Sequence, residues 1–387
     1  MKKVALLLTP VEFGGAEKVG LTLLKNIQRN LFDVRPILLI RPWEEKGFFT
    51  RELEKLDYDY QTIPVALYER HQKRDYWRVL RCAGLLRSMA RKEQFDLIHT
   101  NGYFADIIGI PVAKSLGIPA LAMCHGFVDS DAKLRLYNRL DLLILRLGNR
   151  VICVSEELRR LLVRWHVSSR RVCLLRNAVD AVYDPNRFSA MRKEARRAFG
   201  VTEGEILLGS CGRLSAEKGL ANLVEAGSSL LAAGLPVKIL LIGDGPERLK
   251  LERLAMSSNL RERCMFSGFR EDVLAMLPAI DVFVLPSFTE GTPMALLEAM
   301  GQGIPVVASS VGEVPTIVAH DRSGILVEPG QVAQIAGAVR RIVENAEFRE
   351  GLSQKERETI DNHFGIQPWI CEIERHYTEL SNKRRRT

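Results

Sequence analysis

The stretch from Phe288 to Ala308 reads FTEGTPMALLEAMGQGIPVVA. It follows an apolar run that ends near Pro286. Pro293 suits the first turn of a helix, which Ala295 to Met300 continue. The next short apolar run is Pro305 to Ser309. The stretch therefore predicts a strand, a loop, a helix and a second strand, which is the repeat of parallel α/β sheets.

The same alternation of short apolar runs and longer amphipathic stretches fills the chain. It predicts an α/β protein with two doubly wound domains that face each other across a cleft. We place the N-terminal domain at residues 1–183 and the C-terminal domain at 184–365, with a linker at 177–189 where Asn, Asp and Pro cluster. A last amphipathic helix is expected within 366–387.

Composition excludes several classes of protein. The 387 residues are 47% apolar and 26% charged, as in globular proteins and unlike disordered ones. No apolar run approaches the roughly 18 residues of a spanning helix. The seven cysteines are odd in number and scattered, without a C-x-x-C pair, which argues against a disulfide framework and a zinc site. We therefore expect a cytoplasmic protein.

The helix after Pro293 is the first candidate binding site. The N–H groups of Thr292, Met294 and Ala295, with the helix dipole behind them, would suit a diphosphate. Glu298 could accept hydrogen bonds from a ribose diol, and Glu290 could reach the hydroxyls of a sugar. The alternative is an ordinary amphipathic helix with a solvent-exposed Glu298.

A second candidate is the loop within Gly209 to Gly219. Arg213 and Lys218 stand there between a predicted strand and a helix. A forked guanidinium and a point-charge ammonium together suit a pyrophosphate leaving group. A solvated turn with incidental charges is the alternative.

In the first half of the chain, the glycines of Gly14-Gly15-Ala16-Glu17 would let a ligand approach the backbone. His99 and His125 each end a predicted strand, so both should face the cleft. A structural role is the alternative for each, and His125 is the stronger candidate.

In sequence order, these motifs resemble the retaining GT-B glycosyltransferases of family four, which make bacterial cell-surface glycans and lipopolysaccharide. The resemblance spans nearly the whole chain. It implies the GT-B fold, with the C-terminal helix returning to the N-terminal domain, and transfer of a hexose from a nucleotide donor, commonly a UDP-sugar, to a glycan or lipid-linked acceptor. The motifs are Gly14 to Glu17, His125-Gly126, Ser155-Glu156, Asn177 to Asp180, Gly212-Arg213, Glu217 to Gly219, Gly243 to Glu247, Phe266 to Gly268 and Glu290 to Glu298.

The resemblance also implies roles for single residues. The implied catalytic residues are His125, Glu290, Arg213 and Lys218. The implied donor-binding residues are Gly15, Arg213, Lys218, Phe269, Glu290, Gly291, Thr292, Met294 and Glu298. The chain departs from the family at Ala178, where a glycine is common, and at Pro293, which has no N–H to offer the donor.

We expect no metal and no other cofactor, because cations and amides could stabilise the leaving group. Asp57-Tyr58-Asp59 and Asp129-Ser130-Asp131 match the Asp-x-Asp pattern of metal-dependent glycosyltransferases, and they keep the alternative open. A nucleotide-sugar epimerase, a sugar phosphorylase and a non-catalytic nucleotide-sugar-binding protein are the rival functions.

The basic residues are concentrated in the first half. Residues 1–180 hold 30 Lys and Arg against 20 Asp and Glu, whereas residues 181–387 hold 25 against 27. The segment Arg70 to Lys92 is amphipathic as well as basic, which suits an anionic membrane or an anionic lipid-linked acceptor. A solvated helix is the alternative. Nucleic acid is not expected as a partner, since no recognised nucleic-acid module accompanies the charge.

Overall fold

The computed structural model describes residues 1–10, 15–41, 47–65, 77–127, 132–180 and 183–384, without the side chains of residues 132, 133, 383 and 384. Gly14, the Asp129 to Asp131 motif and the first part of the basic segment, Arg70 to Tyr76, lie outside the described residues. The chain divides into two units. The first comprises residues 1–177 and 366–387, and the second comprises residues 178–365.

The first unit is built on a seven-stranded parallel sheet with the order β3-β2-β1-β4-β5-β6-β7. Its strands are almost wholly apolar because helices cover both faces of the sheet. The strands are β1 (Lys2–Leu8), β2 (Phe32–Ile40), β3 (Gln61–Pro64), β4 (Leu97–Asn101), β5 (Ala120–Cys124), β6 (Arg150–Cys153) and β7 (Val172–Leu174). The helices are α1 (Gly15–Asn26), α2 (Phe48–Lys55), α3 (Arg78–Glu93), α4 (Tyr103–Ser115), α5 (Ala132–Ile144) and α6 (Glu156–Arg164).

The second unit has a six-stranded parallel sheet with the order β10-β9-β8-β11-β12-β13. Its strands are β8 (Ile206–Cys211), β9 (Val237–Ile242), β10 (Cys264–Gly268), β11 (Val282–Leu285), β12 (Val306–Ser309) and β13 (Ile325–Val327). Its helices are α7 (Pro185–Ala198), α8 (Leu220–Ala232), α9 (Arg248–Ser257), α10 (Val273–Met276), α11 (Met294–Gly301), α12 (Val314–Ile317), α13 (Val332–Glu344) and α14 (Ala346–His363).

The last helix, α15 (Ile366–Arg384), belongs to the first unit, as the fold class implied. One stripe of α15 is buried there, including Trp369, Ile373 and Tyr377. The Glu374 carboxylate accepts hydrogen bonds from the backbone N–H and the side-chain amide of Gln28, at 2.9 and 2.7 Å. Two α/β units with parallel sheets confirm the predicted fold class.

The start of α7 differs from the expected linker, which ran to residue 189. The helix already begins at Pro185 because Asp184 caps it. The Asp184 carboxylate accepts hydrogen bonds from the N–H groups of Asn186 and Arg187 at 2.9 and 3.2 Å. Asp followed by Pro is thus a helix start here rather than a turn. Within the described part of the chain, we find no helix with the length and apolar character needed to cross a membrane.

Candidate active site

The loop after β8 lies against the end of β11 in the second unit. Gly219 has a φ of +59°, and a Cβ atom there would lie 2.2 Å from the carbonyl oxygen of Pro286. The N–H of Phe288 donates to the carbonyl of Glu217 at 2.8 Å. Because Gly219 permits this close approach, Lys218 is held beside the loop that follows β11.

Lys218 and Glu290 form an ion pair at this junction. The Lys218 Nζ lies 2.8 and 3.0 Å from the two carboxylate oxygens of Glu290. The hydroxyl of Ser287 donates to Glu290 Oε1 at 2.6 Å. Ser287 is fully buried, and the side chain of Glu290 is only 6% exposed. The structure thus brings together two residues that the sequence analysis placed in separate motifs, in a setting that strengthens their attraction.

Gly312 supports the backbone of Glu290 from the other side. Its φ is +53°, and a Cβ atom at this position would lie 1.8 Å from the carbonyl oxygen of Glu290. Only glycine fits such a gap without a shift of the backbone. The Glu290 loop is therefore fixed both by its side chain and by its main chain.

Helix α11 begins one residue later than expected. Pro293 is its N-cap rather than a member of its first turn, and the Pro293 carbonyl accepts the first intrahelical hydrogen bond from Leu297 at 3.2 Å. Thr292, Met294 and Glu298 are buried. Glu298 is only 7% exposed, so the alternative of a solvent-exposed Glu298 is wrong. The first N–H groups of α11 have no acceptor within the helix, as at any helix start.

The carboxyl ends of β8 and β11 border a small concavity of about 180 Å³, its open mouth included. Arg213 and Lys218 both line it, and Arg213 is exposed at its edge. Phe269, directly after β10, is 49% exposed. The remaining lining residues are Ser210, Cys211, Gly212, Leu220, Leu285 and Ser287.

In the first unit, His125 follows the end of β5 and contacts Asn101, the last residue of β4. His125 Nε2 lies within hydrogen-bond distance of Asn101 Oδ1. The amide of Asn101 also donates to the carbonyl of Ala16 at 3.2 Å, which joins this pair to the start of α1 beside Gly15. Burial lowers the pKa of His125 to about 4, so its imidazole is neutral at pH 7.

His99 does not take the position expected from the sequence. The strand β4 continues for two residues beyond it, so His99 lies within the sheet and is fully buried. Its Nδ1 lies 2.7 Å from the hydroxyl of Tyr377 on α15. Burial, with the nearby His125, lowers the pKa of His99 to about 3. His99 is a neutral core residue, and the end of β4 is occupied by Asn101 instead.

Two buried carboxyl groups lie near Cys124, the residue before His125. Asp106 on α4 accepts a hydrogen bond from the Thr100 hydroxyl and interacts with Asp141 on α5. Burial raises the pKa of both carboxyl groups, and the charge of Asp106 raises that of Asp141 further. Neither carboxyl group stands in a motif that the sequence marks as a site.

The candidate residues named from the sequence likewise did not include Ser287, Gly312 or Asn101. Asn101 and Ser287 had a usable signal, because a polar residue at the end of a parallel strand lies at the edge where ligands bind. Gly312 had none, since its contact comes from a loop 22 residues away in sequence from Glu290. Among the described residues, no group of three or more His, Cys, Asp or Glu is arranged to hold a metal ion.

Each half of the chain matches a glycosyltransferase family model. "Glycosyltransferase Family 4" matches residues 13–183, and "Glycosyl transferases group 1" matches residues 191–359. The fold and these two matches define a glycosyltransferase built from two α/β units. The chain belongs to the family 4, group 1 glycosyltransferases.

Several relatives resemble the chain over most of its length. It is 26% identical to the UDP-Gal:α-D-GlcNAc-diphosphoundecaprenol α-1,3-galactosyltransferase of Escherichia coli, over 76% of this chain and 78% of the relative. It is 29% identical to the 2-deoxystreptamine glucosyltransferase of Streptomyces kanamyceticus, over 73% of this chain and 74% of the relative. The crystal structure of Anabaena HepE with UDP-glucose covers 98% of this chain and all of HepE, at 20% identity and a TM-score of 0.82.

Proposed function

We propose that the protein is a retaining glycosyltransferase that moves a hexose from a UDP-sugar to a glycan or lipid-linked acceptor in cell-surface polysaccharide or lipopolysaccharide biosynthesis. The observation that carries the proposal is the contact between Lys218 and Glu290, a cation and a carboxylate held in the loop that leads into α11. The names of the relatives support the substrate class, since the E. coli relative uses UDP-galactose and a diphosphoundecaprenol acceptor.

The chemistry follows from the charges at this junction. Lys218 and Arg213 would stabilise the diphosphate as it leaves, and Glu298 would hold the ribose. The acceptor hydroxyl would attack from the face that the diphosphate leaves, with a donor phosphate oxygen taking its proton. Glu290, with its charge neutralised by Lys218, would hold hydroxyls of the transferred sugar. No covalent enzyme nucleophile is needed in this scheme.

We further propose that the reaction needs no metal ion, because Arg213, Lys218 and the first N–H groups of α11 could stabilise the leaving group without one. A donor screen by thermal shift, then turnover with membrane extract as acceptor, tests the activity. Full activity in chelator and an α-configured product from an α-configured donor are the expected results. Strict dependence on Mn²⁺ or Mg²⁺ would refute the metal-free reaction. A product with inverted anomeric configuration would refute the retaining mechanism. Epimerised UDP-sugar formed without acceptor would indicate the epimerase instead.

We also propose that the first unit contacts an anionic membrane, which the structure supports through a helix that the sequence analysis overlooked. Four leucines, spaced as one stripe along α5 and the turn after it, are 38% to 68% exposed. The acidic residue of α5, Asp141, is buried, while Arg135 and Arg139 are exposed. An apolar stripe flanked by arginines suits an interface rich in anionic lipid. The leucines are Leu136, Leu140, Leu143 and Leu147.

Helix α3 extends this surface. Arg78 hydrogen-bonds to the hydroxyl of Tyr137, so the start of α3 lies beside α5. Trp77 and Leu80 are 72% and 63% exposed there. Tryptophan favours the headgroup region of a bilayer. Pairing with a second copy would bring like charges together, which disfavours a self-association surface.

Flotation with vesicles of phosphatidylglycerol and phosphatidylcholine tests this surface. Leu136→Glu with Leu140→Glu should weaken binding about tenfold or more, because two apolar anchors are replaced by charges that anionic lipid repels. Leu249→Glu on α9, which is 65% exposed in the second unit, is the matched control and should bind as the wild type does. Unchanged flotation of the double variant, or a change in oligomeric state without any vesicle binding, would refute the membrane contact.

A further inference from the structure

Asn101 is the last residue of β4, and a glycine with positive φ follows closely after both β4 and β5. Gly102 after β4 has a φ of +96°, and Gly126 after His125 has a φ of +134°. In the sheet, Asn101 pairs with Met123, two residues before His125. The two strands therefore end at the same edge of the sheet, and the amide of Asn101 lies beside the imidazole of His125.

The contacts of Asn101 determine which way its amide faces. The carbonyl of Ala16 can only accept a hydrogen bond, so the group that faces it at 3.2 Å must be the NH₂. The oxygen of the same amide then faces His125 Nε2. Because that oxygen can only accept, Nε2 must carry the proton. Nδ1 of the neutral ring is then the unprotonated nitrogen.

We propose that Asn101 is a positioning residue that holds His125 in its Nε2–H tautomer and thereby leaves Nδ1 as the hydrogen-bond acceptor for a sugar hydroxyl of a substrate. This inference rests on the proposed function, in which His125 is a site residue. An acceptor nitrogen orients a hydroxyl, whereas the other tautomer would offer a donor there. His125 is in this account a binding and orienting group and not a proton donor.

Burial keeps the imidazole neutral, since the pKa of His125 is lowered to about 4. The titratable groups on the elements around it include His99 on β4, Cys124 on β5, Asp106 on α4, Asp141 on α5 and Glu17 on α1. Burial also keeps His99 neutral. Burial raises the pKa of Cys124, so that thiol stays protonated.

The tautomer is measured by nitrogen NMR of histidine-labelled protein without substrate, with the His125 signals identified by their loss in His125→Ala. The wild type should show the Nε2–H form. Asn101→Leu, of similar size but without an acceptor, should shift His125 to a mixture of tautomers. Thr100→Val disturbs the same strand through Asp106 and should leave the tautomer unchanged. An Nδ1–H form in the wild type, or an unchanged signal in Asn101→Leu, would overturn the proposal.

Kinetics test the role of the tautomer. Asn101→Leu should lower kcat about tenfold or more, with a smaller change in the KM for the donor. Asn101→Asp keeps an acceptor but adds a negative charge, which raises the pKa of His125. Its activity should then be lost as pH falls, with the acid limb about one to three pH units above that of the wild type. A wild-type pH profile in Asn101→Asp would contradict the role.

The two measurements separate this inference from the proposed function. If the wild type transfers no sugar from any donor, the proposed function fails while the tautomer is still decided by NMR. If the wild type is active and Asn101→Leu is equally active with an altered tautomer, the positioning role is refuted and the proposed function stands.

Discussion

The carboxyl ends of the two parallel sheets carry different chemistry. In the second unit, the ends of β8 and β11 hold a close pair of opposite charges, Lys218 and Glu290. In the first unit, the ends of β4 and β5 hold the amide of Asn101 and the imidazole of His125. Burial keeps that imidazole neutral. The same fold thus presents a charged edge suited to a diphosphate and a neutral edge suited to hydroxyls.

At a single pH, the largest expected effect of a substitution is at the charged edge. Lys218→Ala should cost about 1.5–3 kcal/mol of UDP binding or transition-state stabilisation, because it removes a charged hydrogen-bond donor. It should also lower thermal stability, since Glu290 is then buried without its cation. Titration calorimetry with UDP and a thermal melt measure the two effects.

Lys250→Ala is the matched control, because Lys250 is paired with Glu247 on the exposed face of α9. It should change stability by no more than about 0.5 kcal/mol. Equal UDP affinity in Lys218→Ala and Lys250→Ala would show that Lys218 does not contribute to UDP binding.

The next largest effect is expected from Gly312→Ala. The added Cβ would collide with the carbonyl of Glu290, and the positive φ of Gly312 is strained for alanine. We expect a loss of about 1–3 kcal/mol in the free energy of unfolding, together with weaker UDP binding. Gly337→Ala in α13 is the control, since nothing lies within 4 Å of its added Cβ. That change should stabilise the protein slightly, because alanine favours the helix. Similar unfolding free energies in the two variants would contradict the close packing at Glu290.

The buried titratable groups of the first unit should make the free energy of unfolding depend on pH. The pKa of Asp141 is raised above its ordinary value of 3.8 by burial and by Asp106. The unfolded chain therefore loses this proton first, and stability falls as pH rises above that ordinary value, by up to about 1.4 kcal/mol per pH unit. Asp141→Asn should flatten the decline.

The pKa of His99 is shifted the other way, from 6.5 to about 3, so its contribution is complete above 6.5 and is lost as pH falls toward 3. Urea unfolding between pH 5 and pH 9 separates the two trends. Asp361→Asn, exposed on α14, is the control and should keep the wild-type slope. If the free energy of unfolding of Asp141→Asn still fell by the same amount as pH rises, another group would be the cause.

The smallest effect is expected from Ser287→Ala, at about 1 kcal/mol of transition-state stabilisation, because Glu290 retains Lys218 after losing one hydrogen bond. The loss should appear mainly in kcat if Ser287 orients Glu290 for the reacting sugar. Ser229→Ala, an exposed serine on α8, serves as the control. A kcat for Ser287→Ala equal to that of the control would show that Lys218 alone positions the carboxylate.

Sequence reasoning found the two α/β units because short buried strands between amphipathic helices leave a strong pattern. It did not predict β3, β7, β10 and β13, because a short apolar run does not by itself distinguish a strand from another buried segment. It placed His99 at a strand end because it ended β4 two residues early, and strand boundaries are weakly marked in sequence. It proposed Arg213, Lys218, Glu290 and Glu298 as site residues from their motifs, while the direct contact between Lys218 and Glu290 spans 72 residues of sequence.

The amino-acid sequence by itself determined the alternation of strands and helices, the family and the charged residues of the candidate donor site. The alternation follows from local periodicity, the charged residues stand in short motifs, and the family follows from the resemblance of those motifs in their order along the chain. Only the tertiary structure decided that Lys218 pairs with Glu290, that Gly312 packs against the backbone of Glu290, and that Asn101 lies within hydrogen-bond distance of His125. Each of these contacts joins residues on different strands or loops, so it forms only when the sheet brings the strand ends together.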